Sequence, residues 1–302
     1  MPDSPKPTRL CLTGGRGRLA ALIADYFRAP RHVVELYSRQ AQPGFQPLDA
    51  LAKKSDWASG DVLLHLAWST LPATSEQHPG IEETVDLPLL DSLLQGIAST
   101  PESKRPHLIF FSSGGAVYGN APGRPSREDD PCRPVGHYGQ AKLAAETKVR
   151  QAAADHGVAA TILRISNPYG YPVPSGRQQG IIPHAIRAAA DARPLQLWGD
   201  GGARKDFLYH TDFLSALEQI SAAKPTGTFN LCAGESHSIA EVIALVEKHT
   251  GRPVETIPGP APAWDVADSR LDPQKLNRVL DWRPQVSLDE GIRRAVAGFM
   301  DH

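Results

Sequence analysis

The chain has 302 residues, of which 41% are hydrophobic, and its 32 basic and 33 acidic side chains leave a formal net charge of −1. A chain of this length can bury a full core, in one large domain or in two intimate ones. The balanced charge gives no signature of nucleic-acid or anionic-membrane binding, and no apolar run approaches the ~20 residues of a membrane span. We therefore expect a globular protein without either partner.

The N-terminus and the cysteines indicate the compartment. Residues 1–8 lack a hydrophobic segment and are interpreted as a short disordered lead-in rather than a signal peptide. Cys11, Cys132 and Cys232 are an odd number without metal-ligand spacing. We expect reduced thiols, no metal and a cytoplasmic location.

A strand, a glycine-rich turn and a helix are predicted at the start of the chain. The apolar run 9–13 leads into a G-x-x-G-x-x-A string, and 21–27 follows a helical pattern. Gly14 would make the tight turn, and Gly17 would let the backbone approach a pyrophosphate at the helix N-terminus. The alternative is an ordinary glycine-rich turn. The candidate cofactor contacts in this loop are Gly14, Arg16, Gly17, Arg18 and Leu19.

The second predicted strand, 32–37, ends in Ser38 and Arg39, which are also candidate cofactor contacts. An acidic residue at this point binds the ribose hydroxyls of NAD, whereas a basic residue accommodates the extra phosphate of NADP. Arg39 therefore favours NADP over NAD, although Glu35 lies nearby in the strand.

The third predicted strand, 61–68, ends where a parallel sheet opens to ligand. Its last residues, Leu66, Ala67 and Trp68, are candidate cofactor contacts. His65 is interpreted as a packed core residue that contacts the cofactor at most. We expect a loop over the cofactor at 69–80 and a leucine-rich helix at 84–98 despite Pro88.

Two serines follow the next predicted strand, 108–111. The hydroxyls of Ser112 and Ser113 could hydrogen-bond a substrate alcohol or carbonyl. The alternative is a helix cap or a serine turn.

Tyr138 and Lys142 form a Y-x-x-x-K string at the predicted start of a helix, after Pro134 and Gly136. At this spacing the two side chains share one helix face. A nearby ammonium lowers the pKa of a phenol from its ordinary ~10, so Tyr138 could exchange a proton with an alcohol near neutral pH. The alternative is two residues on a solvated helix face.

Taken in order, these motifs resemble those of the extended short-chain dehydrogenase/reductases, and most closely the nucleotide-sugar epimerase/dehydratase branch. Later segments, such as 163–170, 198–201 and 205–212, are similar as well. The resemblance implies an α/β fold: a Rossmann-type doubly wound parallel sheet with a smaller C-terminal α/β substrate domain. It assigns 1–168 to the NAD(P)-binding domain, with 206–232 returning to it, and 169–205 and 233–302 to the substrate domain. Alternating strand and helix patterns independently favour a parallel sheet.

The resemblance implies an NAD(P)-dependent nucleotide-sugar epimerase or 4-ketoreductase, a cytoplasmic enzyme that moves a hydride at C4 of the sugar. Tyr138 would be the acid/base, Lys142 would tune it and hold the nicotinamide ribose, and Ser112 or Ser113 would assist. The implied cofactor contacts include Ser112, Tyr138, Lys142 and Pro168. The implied substrate contacts are Asn167, Arg204 and Lys205.

The sequence departs from the family pattern at three places. The usual catalytic Ser or Thr position holds Gly114, and Ser113 should point to the opposite face unless the chain turns at the glycines. The acid pair of the dehydratases is replaced by Gly115 and Ala116, which disfavours dehydration. The second of two expected phosphate-binding arginines is Pro262, and the first is Lys205, which lacks the guanidinium fork.

These departures leave alternatives open. One is a reductase or dehydrogenase of a non-sugar carbonyl or alcohol; another is an NAD(P)-binding sensor without turnover. Family members are often dimers joined through two long helices, and the alanine-rich face of the Tyr138 helix would suit either such a contact or packing on the sheet. That face consists of Ala141, Ala144, Ala145, Ala152 and Ala153.

Two S-x-x-E strings predict helix starts after residue 230, at Ser238 and at Ser287. The helices should run to about Gly251 and Met300. Residues 257–263 are proline-rich and are interpreted as a connector.

Overall fold

The computed structural model describes residues 8–28, 32–40, 42–121, 123–171 and 180–300. Nearly all of the predicted lead-in lies outside these ranges. The strands that the structure describes are β1 (Thr8–Thr13), β2 (His32–Ser38), β3 (Gln46–Pro47), β4 (Val62–His65), β5 (His107–Ser113), β6 (Ala160–Ile165), β7 (Asn167–Tyr169), β8 (Leu195–Trp198), β9 (Arg204–Tyr209), β10 (Gly227–Leu231), β11 (Ser236–Ser238) and β12 (Thr256–Gly259).

Helices connect most of these strands. They are α1 (Arg18–Tyr26), α2 (Leu48–Ala52), α3 (Pro72–Gln77), α4 (Leu87–Ser99), α5 (Gly114–Val117), α6 (His137–His156), α7 (Ile181–Asp191), α8 (His210–Ala223), α9 (Ile239–Thr250), α10 (Gln274–Leu280) and α11 (Leu288–Met300). A π-helical turn (Glu82–Asp86) precedes α4, and a 3₁₀ turn (Glu102–Lys104) follows it. Within the described ranges, none of the helices combines the length and apolarity needed to cross a membrane.

The main sheet has seven strands in the order β10-β6-β5-β4-β1-β2-β3. β1 pairs in parallel with β2 and β4, and β4 pairs in parallel with β5. The order 3-2-1-4-5-6 within it is that of a doubly wound dinucleotide-binding sheet. The predicted Rossmann-type α/β fold is therefore confirmed. The two-residue strand β3 forms one edge and ends in Pro47.

The described residues also form two smaller sheets. One has three strands in the order β11-β9-β7, and the other pairs β12 with β8. Residues 257–259, the beginning of the predicted connector 257–263, therefore belong to a strand instead, because the backbone of 256–259 pairs in parallel with residues 195–198.

The chain divides into two compact units. Unit 1 comprises Met1–Ser112, Gln140–Leu163 and Ile220–Thr228, and unit 2 comprises Ser113–Gly139, Arg164–Gln219 and Phe229–His302. The core of unit 1 packs α4 and α6 with the main sheet, through residues such as Leu93, Ala145 and Phe110. The core of unit 2 includes Ile186 of α7, Val242 of α9 and Ile292 of α11. The predicted cofactor and substrate domains stay a prediction.

Three of the predicted alanines explain how α6 packs. Ala141, Ala145 and Ala152 are buried, whereas Ala144 and Ala153 are exposed. Small side chains let a helix approach a sheet closely, and Ala145 and Ala152 belong to the core of unit 1. Most of the alanine-rich face therefore serves internal packing.

Three local predictions need correction. Residues 69–80 contain α3, which begins at Pro72 because proline suits the first helical turn. Strand 61–68 ends at His65. Helix 84–98 starts as a π-helical turn, and Pro88 is the second residue of α4, directly after that turn.

The two predicted caps differ. At α9 both bonds of the capping box form, from the Glu241 N–H to the Ser238 hydroxyl (3.1 Å) and from the Ser238 N–H to the Glu241 carboxylate (2.7 Å). At α11 the Glu290 N–H meets Ser287 Oγ at 3.4 Å. The Glu290 carboxylate instead pairs with Arg293 and Arg294.

Candidate active site

The glycine loop of unit 1 packs against the segment that follows β4. Gly14 has φ +69°, and a Cβ there would lie 2.9 Å from the backbone nitrogen of Ala67. Gly17 caps α1, and its N–H donates to the Gly14 carbonyl at 2.7 Å. The turn thus needs glycine at position 14, and it delivers the N-terminus of a nine-residue helix at its exit.

The segment after β4 is held by one hydroxyl. Thr13 Oγ1 accepts hydrogen bonds from the N–H groups of Leu66 (3.1 Å) and Ala67 (3.0 Å). The same hydroxyl lies 2.9 Å from Nδ1 of His65. The sequence places Thr13 at the end of the run 9–13 but carries no signal for this role, because the partners of Thr13 come from the segment after a different strand.

His65 is a core residue. Its side chain is 1% exposed, it stacks on Phe110, and burial lowers its pKa to about 3. Its Nε2 has no hydrogen-bond partner among the described residues. This agrees with the packed-core interpretation.

The end of β2 presents one exposed cation. Ser38 is buried and accepts a hydrogen bond from the Gln40 N–H, whereas Arg39 is exposed and donates to the Ser69 hydroxyl at 2.9 Å. Arg16 is exposed in the glycine loop, and Arg18 begins α1 half-buried. The glycine turn, the helix N-terminus and these side chains fit a dinucleotide: they offer backbone donors for a pyrophosphate and a guanidinium near the ribose end.

Helix α6 begins at His137, so Tyr138 and Lys142 lie one turn apart on it, as predicted. Tyr138 is half-buried. Lys142 is 5% exposed, donates to the Phe111 carbonyl at 2.9 Å and has its Nζ 3.7 Å from the centroid of the Trp68 ring. Burial lowers the pKa of Lys142 to about 7, and nearby carboxylates oppose that effect.

The two serines at the end of β5 have different environments. Ser112 is 2% exposed and donates its hydroxyl to Glu146 at 2.6 Å. Ser113 is half-buried and directly precedes α5. Glu146 is fully buried and also receives Arg150 at 3.0 Å. Glu146 was missed from the sequence, although its position four residues after Lys142 on the same helix was a usable signal.

Gly114 is closed to a side chain. A Cβ at this position would overlap Cδ1 of Leu271 and lie 3.2 Å from the Arg164 carbonyl. Leu271 is 1% exposed, and it fills the space that a serine or threonine would need. No sequence signal connects residue 271 with residue 114.

The candidate substrate residues belong to unit 2 and are already engaged. Asn167 donates to the Asp206 carbonyl at 2.8 Å. Lys205 pairs with Asp265 at 2.8 Å and also donates to the Val266 carbonyl. Arg204 donates to the Ser236 carbonyl at 2.6 Å. Pro168 lies between Asn167 and Tyr169 in β7.

The part of the chain that the structure describes contains no group of three or more His, Cys, Asp or Glu side chains arranged to hold a metal ion.

Comparison with known proteins agrees with this geometry. The model of the NAD dependent epimerase/dehydratase family matches residues 10–232. The UDP-glucose 4-epimerase of Mycolicibacterium smegmatis is 26% identical over 312 residues, which is 96% of this chain and 98% of the relative. The dTDP-4-dehydro-6-deoxyglucose reductase of Escherichia coli is 28% identical over 240 residues, 78% of this chain and 73% of the relative.

A solved structure gives the same result. The UDP-glucose 4-epimerase of Thermus thermophilus, in complex with NAD, matches with a TM-score of 0.86 at 25% identity and covers 97% of this chain and 99% of that chain. That relative binds NAD, so the comparison gives no support to the NADP preference inferred from Arg39. Since the family model covers well over half of the sequence, the chain belongs to the NAD-dependent epimerase/dehydratase family and is an enzyme of the extended short-chain dehydrogenase/reductase type.

Proposed function

We propose that the chain is an NAD-dependent nucleotide-sugar 4-epimerase. The observation that carries this proposal is the pair on α6, a half-buried Tyr138 followed one turn later by the buried Lys142. A protein that only binds NAD has no need of a phenol and an ammonium at this spacing. The names of the relatives support the choice of a sugar nucleotide over other alcohols.

In the proposed reaction Tyr138 takes the proton from the C4 hydroxyl of the sugar and later returns it to the C4 oxygen. In this proposal the positive charge of Lys142, one helix turn away, stabilises the phenolate form of Tyr138. The bound dinucleotide supplies the centre that accepts and returns the C4 hydride. Ser113 supplies the second hydroxyl beside the reacting oxygen, since Ser112 is committed to Glu146.

NAD is the proposed cofactor. Gly14, Gly17 and the first turn of α1 bind its pyrophosphate, and Ser38 and Leu66–Trp68 are further contacts with the dinucleotide. Arg39 donates a hydrogen bond to Ser69, and in this position it does not prevent binding of the unphosphorylated adenosine ribose of NAD. An epimerase returns its hydride within each turnover, so a tightly held NAD is sufficient.

The proposed substrate carries a nucleoside diphosphate, positioned by Asn167, Arg204 and Lys205. Lys205 must exchange its pairing with Asp265 for a phosphate oxygen, which weakens the net gain from that contact. Dehydration is not proposed, because Gly115 and Ala116 provide no carboxylate to remove a second proton.

A second candidate is a 4-ketoreductase that consumes a reduced dinucleotide. The similarity to the Escherichia coli reductase and the exposed Arg39 favour it. The two activities differ in how the cofactor is used. A reductase must release the oxidised dinucleotide after each turnover, whereas an epimerase keeps its dinucleotide bound.

Two measurements test these candidates. Mass spectrometry of ligands released from the purified protein should find NAD(H) in near-stoichiometric amount, and the protein should interconvert UDP-glucose and UDP-galactose without added reductant. Tyr138→Phe should abolish this turnover and leave NAD binding unchanged. Full activity of that variant would refute the role of Tyr138, while an empty protein that reduces 4-keto sugars with NADPH would establish the reductase.

We also propose a homodimer in the cytoplasm, with 1–168 and 206–232 as the cofactor domain and the remaining residues as the substrate domain. The dimer rests on the family resemblance alone, since most of the alanine-rich face of α6 is used internally. Light scattering of the purified protein measures its mass in solution; a monomer would refute this part.

A further inference from the structure

Trp68 and its neighbours hold the ammonium of Lys142 in unit 1. Lys142 donates to the Phe111 carbonyl on one side, and the Trp68 ring lies 3.7 Å from its Nζ on another. Trp68 is not part of a strand, because β4 ends at His65. The position of this ring therefore depends on whatever fixes the segment that follows it.

Two buried carboxylates fix that segment. The π-helical turn carries Glu82 and Asp86, each 1% exposed. Asp86 accepts hydrogen bonds from both the N–H (3.0 Å) and the hydroxyl (2.8 Å) of Ser69, the residue after Trp68. Glu82 accepts the hydroxyl of Thr70. A π-helical turn is an uncommon conformation that occurs often at functional sites.

Other elements contribute further groups around Lys142. Glu146 faces it from α6 itself, but this carboxylate already receives Ser112 and Arg150. His65 faces it from β4 and stays neutral. Glu82 and Asp86 face it from the π-helical turn. Among the described contacts of these three acids, only Asp86 combines two features. It accepts hydrogen bonds from Ser69, the residue after Trp68, and its negative charge attracts the ammonium of Lys142.

We propose that Asp86 is a positioning residue for the reaction: it fixes the Trp68 segment beside Lys142 and supplies negative charge that keeps the buried ammonium protonated. The inference rests on the proposed function, because it gives Asp86 a role through Lys142. Burial raises the pKa of Asp86. The two hydrogen bonds from Ser69 oppose that rise, and so do the positive charges of Arg39 and Lys142, so these groups together help to keep the carboxylate ionised.

The first test reads Lys142 directly. In the full chain saturated with NAD and labelled with ¹³C-lysine, NMR titration gives the pKa of the Lys142 ammonium, and loss of its signal in Lys142→Met assigns it. Asp86→Asn keeps the shape and removes the charge, so the Lys142 pKa should fall by about one pH unit or more, a tenfold change in its protonation equilibrium. Glu83→Gln is the matched control, since Glu83 is an exposed carboxylate on the same turn. An unchanged Lys142 pKa in Asp86→Asn overturns the inference.

The second test reads turnover. The kcat of Asp86→Asn should match wild type at pH values well below the Lys142 pKa of both proteins. On the alkaline side it should level off at about one tenth of the wild-type value, the limit that a pKa shift of about one unit sets. A ratio that is the same at every pH would mean that Asp86 only stabilises the fold, and it overturns the inference. If Asp86→Asn shifts the Lys142 pKa but the wild-type protein turns over no sugar nucleotide, the electrostatic coupling between Asp86 and Lys142 stands and the proposed function is refuted.

Ser69→Ala covers the case in which Asp86→Asn does not fold. Loss of the hydroxyl removes one of the two hydrogen bonds that tie the Trp68 segment to Asp86. The Trp68 ring should then hold the Lys142 ammonium less well, so the Lys142 pKa should fall in the same direction by a smaller amount. Since Ser69 is small and half-buried, this variant is expected to fold. An unchanged or raised Lys142 pKa in it counts against the inference.

Discussion

The hydroxyl of Ser112 donates to the fully buried carboxylate of Glu146 at 2.6 Å, whereas the next side chain, Ser113, is half-buried at the end of the same strand. Successive side chains of a strand point to opposite faces. We therefore expect the two serines to have separable roles, Ser112 in the core and Ser113 at the proposed site.

The first prediction follows from this separation. Ser113→Ala should lower kcat by about 10²-fold, the lower end for loss of a group that takes part in proton transfer, and should leave thermal stability nearly unchanged. Ser112→Ala should instead cost about 1–3 kcal/mol of stability, because a buried carboxylate loses a donor. Steady-state kinetics and urea unfolding of both variants check this; equal kinetic losses in the two would contradict it.

Cofactor selectivity gives the second prediction. Arg39 is the exposed guanidinium at the end of β2, so Arg39→Ala should weaken NADP binding by roughly tenfold or more and NAD binding much less. Calorimetric titration with each dinucleotide measures both. Arg28→Ala, at an exposed ion pair with Asp25 at the end of α1, is the control and should affect neither. Equal losses for NAD and NADP would rule out contact of Arg39 with the 2′-phosphate.

Leu271 and Gly114 give the third prediction. Gly114→Ser forces a side chain against the buried leucine and should destabilise the protein by about 1–3 kcal/mol. Leu271→Ala leaves a cavity and should cost about 2–5 kcal/mol. The double variant should cost less than the two single costs added together, because each change relieves the other. Urea unfolding of the three variants and wild type gives the free energies for a double-mutant cycle. If the cost of the double variant equals the sum of the two single costs, the two positions do not compete for space.

The fourth prediction concerns pH and stability. Burial lowers the pKa of Lys142 to about 7 in the folded protein, below its unfolded value of ~10.4. Between these pH values the unfolded chain binds a proton that the folded chain does not. The free energy of unfolding therefore rises with pH, and the destabilisation caused by this buried amine decreases. From about pH 8 to about pH 9.5, wild type should gain on the order of 1.4 kcal/mol per pH unit relative to Lys142→Met.

Urea unfolding at several pH values measures that difference. Other groups titrate in both proteins and cancel in the comparison. Parallel pH dependences would mean that Lys142 keeps an ordinary pKa when folded. Lys142→Met should also be inactive, so at pH values where its stability exceeds that of wild type the loss of activity cannot be due to unfolding.

Much of the fold was predictable, because apolar runs and glycine turns are local signals. Strand β1, the turn at Gly14 and the start of α6 near Tyr138 all lie where the pattern predicts them. The errors are local too. Residues 72–77 are polar enough to suggest a loop, yet Pro72 begins a helix. The π-helical turn has no recognised pattern in composition.

The surroundings of the candidate site were less predictable. Spacing identified Tyr138 and Lys142, but the partners that tune Lys142 come from distant parts of the chain: Phe111, Trp68 and Asp86. Leu271 occupies the space beside Gly114 although the two lie far apart in the sequence. Such contacts depend on tertiary packing, and a single sequence carries no direct signal for them.

The two-residue strand at the β3 edge of the main sheet has a consequence for how copies of this protein can meet. An edge strand exposes unpaired backbone groups that can template pairing with another chain. β3 offers only Gln46 and Pro47, and proline has no N–H to donate. This edge is therefore protected against cross-chain strand addition and aggregation, and self-association at this end of the sheet must use side chains instead of backbone pairing.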